Sequence, residues 1–244
     1  MLRFRAALWF AAITLAMGAS VTGAAHANLV VNGGFEQVTM PNGPAQMNTS
    51  NVAGWSTTGY NFVLFPGNPT SFGSYGKMSL WAPSTGSANG FTAVSPAGGN
   101  FVAADGAFQV GAITQTIKGL SVGQTYAVSF DWAAAQQATF NGPTTEAWQV
   151  SLGGQSFETP IFDNPNHGFS GWIRQTFNYK ATSASEVLSF LAVGTPGGEP
   201  PFSLLDGVTA TAVPEPATWA ILAAGLAGAG AFGFRYRKGC DITG

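Results

Sequence analysis

The chain has 244 residues, of which only 8% are charged, and residues 28–213 carry nine acidic and four basic side chains. A net charge of −5 without a basic stripe argues against nucleic acid as a partner. Cys240 is the only cysteine, so disulfide bonds cannot stabilise the body of the protein.

The first 27 residues have the organisation of a signal peptide. Two arginines precede an apolar stretch over residues 6–19, and the small residues 25–27 precede a cleavage point before Asn28. A permanent N-terminal membrane anchor is the less favoured alternative. The pattern therefore predicts residues 1–27 as a signal peptide, removed by signal peptidase, and residues 28–212 as one extracytoplasmic domain.

The body alternates short apolar runs with Gly, Pro, Asn and Ser, and no window of its sequence has a sustained 3.6-residue stripe. This pattern predicts an all-β domain. In the clearest strand, 125–132, alternate residues from Tyr126 to Trp132 share one face, with Asp131 on the other. The predicted strands are 29–35, 101–104, 112–117, 125–132, 146–152, 172–179, 187–193 and 202–211. So many strands favour a two-sheet jelly-roll sandwich over a small barrel.

Three segments of the body call for separate interpretation. The run 187–193 is almost continuously apolar, which predicts a central strand covered on both faces. Residues 133–138 fit either a short helical turn or an extension of the preceding strand. Residues 65–99 are rich in Pro, Gly and Ser and are predicted as long loops pinned to the sandwich by aromatic side chains such as Phe91.

The C-terminal region begins with Pro214, Glu215 and Pro216, whose two prolines fix φ and remove two amide donors, so that the last strand ends there. Residues 217–234 carry no charge and are long enough to approach the roughly 30 Å of a bilayer core, which predicts a single transmembrane helix. A buried helix of the domain is disfavoured because the segment has no polar face.

A basic cluster, Arg235, Arg237 and Lys238, follows the predicted helix, and a short tail, 239–244, completes the sequence. Positive charge at the end of a membrane segment favours the cytoplasmic side. The body is therefore predicted to lie outside the inner membrane.

The order of Pro-Glu-Pro, apolar helix and basic cluster closely resembles the PEP-CTERM sorting signal of Gram-negative bacteria, over residues 213–238. The resemblance implies recognition by an exosortase, a membrane-embedded cysteine protease or transpeptidase. It also implies cleavage near the Pro-Glu-Pro motif and delivery to the cell surface or extracellular polysaccharide. The residues of the implied sorting motif are Pro214, Glu215, Pro216, Arg235, Arg237 and Lys238.

The body itself resembles galactose-binding-like jelly rolls, a group that includes several carbohydrate-binding modules. The resemblance rests on residues 28–36, on Gly54-Trp55 and on residues 204–208. It implies that the first and last strands pair, and that Glu36 and Asp206 hold a structural Ca²⁺. Alternatively, these two acids are only a polar strand end and a turn residue.

Catalytic material in the body is sparse. Its single histidine, His167, lies in a predicted loop, and no Gly-x-Ser-x-Gly motif is present, so the chain is predicted not to be an enzyme. The carboxylates Asp131, Glu146 and Glu158 are those that a glycosidase would use. They are more simply explained as a polar outer face.

Aromatic side chains beside Asn, Gln and Asp suit sugar binding, because pyranose faces stack on rings. The candidate platforms are Tyr60, Tyr75, Trp81 and Trp148, whereas Trp55, Trp132 and Trp172 fit the core by pattern. We therefore predict an exported, exosortase-sorted surface or matrix protein with a non-catalytic, carbohydrate-binding body. A secreted polysaccharide hydrolase and a self-associating matrix component are the alternatives.

Overall fold

The structure is a computed structural model that describes residues 27–214, and these form strands joined by turns and loops. The described chain has twelve strands and one 3₁₀ turn, Pro83–Thr85. In chain order, β1 to β12 span Asn61–Leu64, Thr70–Gly73, Gly76–Ser79, Phe101–Asp105, Ile113–Lys118, Thr125–Gln136, Thr144–Leu152, Gln155–Glu158, Phe162–Asn164, Ile173–Lys180, Ser185–Thr195 and Pro201–Ala212.

Two antiparallel sheets face each other. The first has the strand order β1-β4-β12-β6-β10, and the second has the order β5-β11-β7-β8, with β9 also pairing with β7. Strands β2 and β3 form a separate two-stranded sheet. The prediction of an all-β, two-sheet sandwich is confirmed. No helix among residues 27–214 is long and apolar enough to cross a membrane. The predicted helix 217–234 and, apart from its last residue, the predicted signal peptide 1–27 lie outside the described residues.

The structure decides two predictions about individual strands. Strand β6 continues to Gln136, so the segment after Trp132 is an extension of the strand as far as that residue. Strand β11 lies between β5 and β7 as predicted, but it is covered on one face only, because Val187 is 51% exposed and Val193 is 38% exposed. The expectation of cover on both faces is therefore wrong.

The segment 29–35 is not a strand, contrary to prediction. Positive φ at Asn32 and Phe35 breaks the extended conformation. The segment still joins the two sheets: the Leu29 amide donates to Ala210 O of β12, and the Gln115 side chain of β5 bonds both the N–H and the C=O of Val31. It thus pairs with the last strand, as the resemblance implied, without regular structure.

Two hydrophobic cores lie on opposite faces of the first sheet. The main core fills the space between the sheets and is built around Trp132, Trp148 and Phe190. In the loop-covered core, residues on the other face of β1, β4, β6 and β12, such as Phe62, pack against residues from the segment 78–93, such as Phe91. Strands in this part of the sheet are therefore buried on both sides.

Candidate functional site

A pocket of about 340 Å³ opens at the rim of the loop-covered core. We call it the Tyr75 pocket. Its walls come from the β2–β3 turn, from the ends of β1, β4 and β6, and from the loop before β12. The lining residues that matter for its chemistry are Tyr60, Tyr75, Lys77, Asp105, Phe108 and Gln137.

Tyr75 owes its position to a tight hairpin. Gly73 pairs with Gly76, so Ser74 and Tyr75 form a two-residue turn between β2 and β3. The hairpin packs so closely on Phe62 that a Cβ on Gly73 would lie 2.7 Å from its ring, which requires glycine. The turn therefore holds Tyr75 outward over the pocket.

Three aromatic rings form one cluster at the pocket. The ring centroids of Tyr60, Tyr75 and Phe108 lie 5.3 to 5.8 Å apart, with steep interplanar angles typical of edge-to-face packing. Tyr60 is buried, whereas Tyr75 is 62% exposed and Phe108 is 44% exposed. Gln109 Nε2 also donates to the Tyr75 hydroxyl over 2.6 Å. Two accessible rings are thus fixed in orientation by a buried one.

Asp105 ends β4 and is almost fully buried. Its Oδ1 accepts hydrogen bonds from the Ala107 and Phe108 amides at 2.8 and 2.9 Å, which builds the turn that presents the Phe108 ring. Its Oδ2 has no hydrogen-bond partner. Burial raises the pKa of Asp105 to about 6, against the lowering effect of the two amide bonds.

The predicted sugar platforms separate in the structure. Tyr60 and Tyr75 meet in the pocket. Trp81 instead stacks on His167, with ring centroids 3.9 Å apart, and its Nε1 donates to Phe140 O. Trp148 is fully buried, and its Nε1 donates to Leu204 O at 3.0 Å. Its indole has no face open to a ligand, so the expectation for Trp148 is corrected.

Sequence reasoning missed Phe108 and Asp105. Phe108 follows a strand in the short segment Asp105-Gly106-Ala107-Phe108, outside any alternating pattern. The available signal was an Asp and a Gly directly after a predicted strand, which is a turn signature. That signal indicates a loop but does not say that a ring at its end meets Tyr60 and Tyr75.

The predicted calcium pair lies elsewhere, beside the N-terminal segment. Asp206 is fully buried and accepts hydrogen bonds from Ser95 Oγ and from the Gly207 amide, while Glu36 Oε1 accepts from the Asn100 amide at 2.7 Å. The pKa of Asp206 is raised to about 7, mainly by burial and in smaller part by the charges of Glu36 and Asp131, against the lowering effect of the two hydrogen bonds.

A cation at this position would relieve the repulsion between the two carboxylates, and their oxygens are the donors that Ca²⁺ prefers. Residues 27–214 contain no group of three His, Cys, Asp or Glu side chains arranged to hold a metal. Glu36 and Asp206 would therefore supply the protein carboxylates, with backbone or hydroxyl oxygens completing the coordination.

The carboxylates that a hydrolase would need do not converge. Asp131 lies on the face of β6 opposite Phe130 and Trp132 and pairs with Arg174 at 3.0 Å. Glu146 lies on the inward face of β7 and is fully buried, and Glu158 is exposed on β8 of the second sheet. Asp131 and Glu146 are thus on different sheets and point in different directions, so they cannot flank one glycosidic bond.

Comparison with known families adds the sorting segment. Residues 212–238 match the PEP-CTERM protein-sorting motif. The chain carries this motif. Only residues 212–214 of it fall in the described part of the chain. No curated protein matches the chain.

Solved structures similar to this chain include carbohydrate-binding modules and an adhesin domain. TmCBM61 in complex with β-1,4-galactotriose is 16% identical, with a TM-score of 0.42, over 77% of this chain and 99% of that one. The CBM22-1 xylan-binding domain from Paenibacillus barcinonensis Xyn10C is 11% identical, with a TM-score of 0.37, over 79% and 98%. The cleaved adhesin domain of Lys-gingipain from Porphyromonas gingivalis is 15% identical, with a TM-score of 0.39, over 76% and 99%. At these scores the ligands of those proteins are not carried over to this chain.

Proposed function

We propose that the chain is an exported cell-surface or extracellular-matrix protein whose β-sandwich binds carbohydrate in the Tyr75 pocket without cleaving it. The observation that carries the proposal is the pair of accessible rings, Tyr75 and Phe108, held at fixed orientation over a pocket that also contains polar groups. Polysaccharide outside the cell is the proposed ligand.

The sorting half of the proposal rests on the PEP-CTERM motif at residues 212–238. Signal peptidase would remove residues 1–27, and the predicted helix 217–234 would hold the protein in the inner membrane. An exosortase would then act near Pro214-Glu215-Pro216. The domain 28–212 would be the part delivered to the surface or matrix of a Gram-negative bacterium.

The binding half rests on the chemistry of the pocket. Pyranose rings present flat C–H faces that pack on aromatic rings, and their hydroxyls need hydrogen-bond partners. The pocket supplies two accessible rings together with Lys77 and Gln137. Its volume of about 340 Å³ lies at the small end of the range for ligand pockets, which suits one or two sugar units.

The absence of cleavage rests on the placement of the acidic groups. Asp105 is the one acidic residue lining the pocket, whereas glycoside hydrolysis ordinarily needs two carboxyl groups on either side of the scissile bond. Glu146, one of the three sequence candidates, is fully buried and does not line the pocket. We therefore propose binding as the activity of the body.

A glycan array followed by calorimetry on the best ligand tests the proposal. The unmodified protein is expected to bind a defined oligosaccharide, and Tyr75→Ala and Phe108→Ala are each expected to weaken that binding about tenfold, because each removes a stacking face. Phe157→Ala is the matched control, since Phe157 is a partly exposed phenylalanine on β8, outside the pocket. Wild-type affinity in both pocket variants would place the site elsewhere, and a protein that binds no glycan would refute the proposed function.

A further inference from the structure

The Tyr75 pocket contains a buried carboxylate, Asp105, with one oxygen that has no hydrogen-bond partner. Asp105 is 1% exposed, and its Oδ2 makes no hydrogen bond. Lys77 lines the same pocket but forms no ion pair with Asp105. The one ion pair among residues 27–214 joins Arg174 to Asp131. Glu199, between the lining residues Gly198 and Pro200, also has a buried carboxylate oxygen without a partner. Two acids and one lysine leave this region with negative charge.

A buried carboxylate oxygen without a partner is costly, because it loses its hydration and no hydrogen bond replaces it. A positive group placed in the pocket would recover part of that cost through attraction across a poorly solvated space. Direct contact with Oδ2 is not required for this effect. The pocket is therefore predisposed to a cation.

The aromatic cluster also favours a cation in the pocket. Rings of Tyr and Phe attract an ammonium group that lies within about 6 Å of the ring centroid. Tyr75 and Phe108 offer such faces at the pocket. The net charge of −5 over residues 28–213 also attracts cationic polymers and repels anionic ones.

We propose that the Tyr75 pocket binds a sugar residue that carries a protonated amino group, with the Asp105 carboxylate as its electrostatic partner. This inference rests on the proposed function and narrows its ligand to the amino sugars. It assigns Asp105 as the residue that distinguishes a free amine from its acetylated form.

The proposal predicts a dependence on pH. The other titratable groups in or beside the pocket are Tyr60, Tyr75, Lys77 and Glu199. Because burial raises the pKa of Asp105 to about 6, its carboxylate is largely protonated at about pH 5, where the sugar amine stays charged. Binding of the amine should therefore weaken as the pH falls from about 6.5 to 5.

Calorimetry with glucosamine oligomers and with N-acetylglucosamine oligomers of equal length tests the inference. At about pH 6.5 the free amine is expected to bind about tenfold more tightly, and Asp105→Asn should remove the difference while its remaining oxygen still accepts the Ala107 and Phe108 amides. Glu158→Gln removes one negative charge outside the pocket and controls for general attraction. Lys77→Ala, at an exposed position, should strengthen binding of the amine.

Each outcome separates the two proposals. Equal affinity for both oligomers, unchanged in Asp105→Asn and Lys77→Ala, would overturn the amino-sugar inference and leave carbohydrate binding intact. Loss of the preference in Glu158→Gln as well would also overturn it, because the attraction would then be general. If neither oligomer binds, the inference is wrong, and the glycan array decides separately whether the proposed function stands.

Discussion

The two cores on opposite faces of the first sheet are built from different kinds of structure. In the main core, one sheet packs on another, and large rings from both sides interlock around Phe190. In the loop-covered core, the sheet presents large residues such as Phe101 together with small ones such as Ala133, and irregular chain packs Phe91 onto them. The main core defines the sandwich, and the loop-covered core carries the pocket at its rim.

The cover on the second face of the first sheet changes the burial pattern along one strand. In β6, residues 125–130 alternate between buried and partly exposed positions, whereas residues 131–136 are continuously buried. The change occurs where the strand passes under the loop-covered core and gains neighbours on its second face. A binding site placed on such a cover can vary in sequence without disturbing the sheet-to-sheet packing.

The largest expected effect is a difference between the two cores in the stability lost when a buried ring is removed. Phe190→Ala should lower the free energy of unfolding by about 3–5 kcal/mol, because the ring contacts Trp55, Phe130 and Trp148 in a rigid setting. Phe91→Ala should cost less, about 2 kcal/mol, because loops relax into a cavity more readily than paired strands do. Urea unfolding measures both values. Equal losses would mean that the two cores are equally rigid.

A second experiment concerns the buried carboxyl group of Glu146. Burial raises the pKa of Glu146 to about 8, although hydrogen bonds from Thr144 and Asn164 lower it. The unfolded state thus releases this proton near pH 4.5 and the folded state near pH 8, so stability should fall as pH rises between these values. Glu146→Gln removes the loss, which by pH 7 is on the order of 3 kcal/mol.

Denaturant unfolding at several pH values follows this difference. The Glu146→Gln profile should be flatter than that of the unmodified protein between about pH 5 and 8. Glu158→Gln is the control, because that carboxylate is exposed and its replacement should leave the slope unchanged. Parallel profiles for the Glu146 variant and the unmodified protein would show that the carboxyl ionises without cost in the folded state.

The same contrast explains what sequence reasoning could and could not predict. The alternating pattern of 146–152 predicted β7, because apolar and polar residues alternate along a strand that is buried on one face only. The segment 65–99 has no such period, so the β2–β3 hairpin within it was predicted as loop. Tyr75 could be proposed by its type, but its meeting with Phe108 depends on long-range contacts that no local pattern encodes.

The smallest expected effect concerns the place where the N-terminal segment, the loop residues around Ser95 and strand β12 meet. Ser95 and Asn100 reach Asp206 and Glu36 there, so a Ca²⁺ on the two carboxylates would tie the loop chain to the sheet. Calorimetry should then find about 1.4 kcal/mol of stabilisation at a Ca²⁺ concentration about ten times Kd, lost in EGTA. Asp206→Asn should abolish the response, and Asp163→Asn, at an exposed position, should retain it. An identical melting temperature in Ca²⁺ and EGTA would rule out a structural ion, and hydrogen bonds such as those of Ser95 and Asn100 would then hold these parts of the chain together.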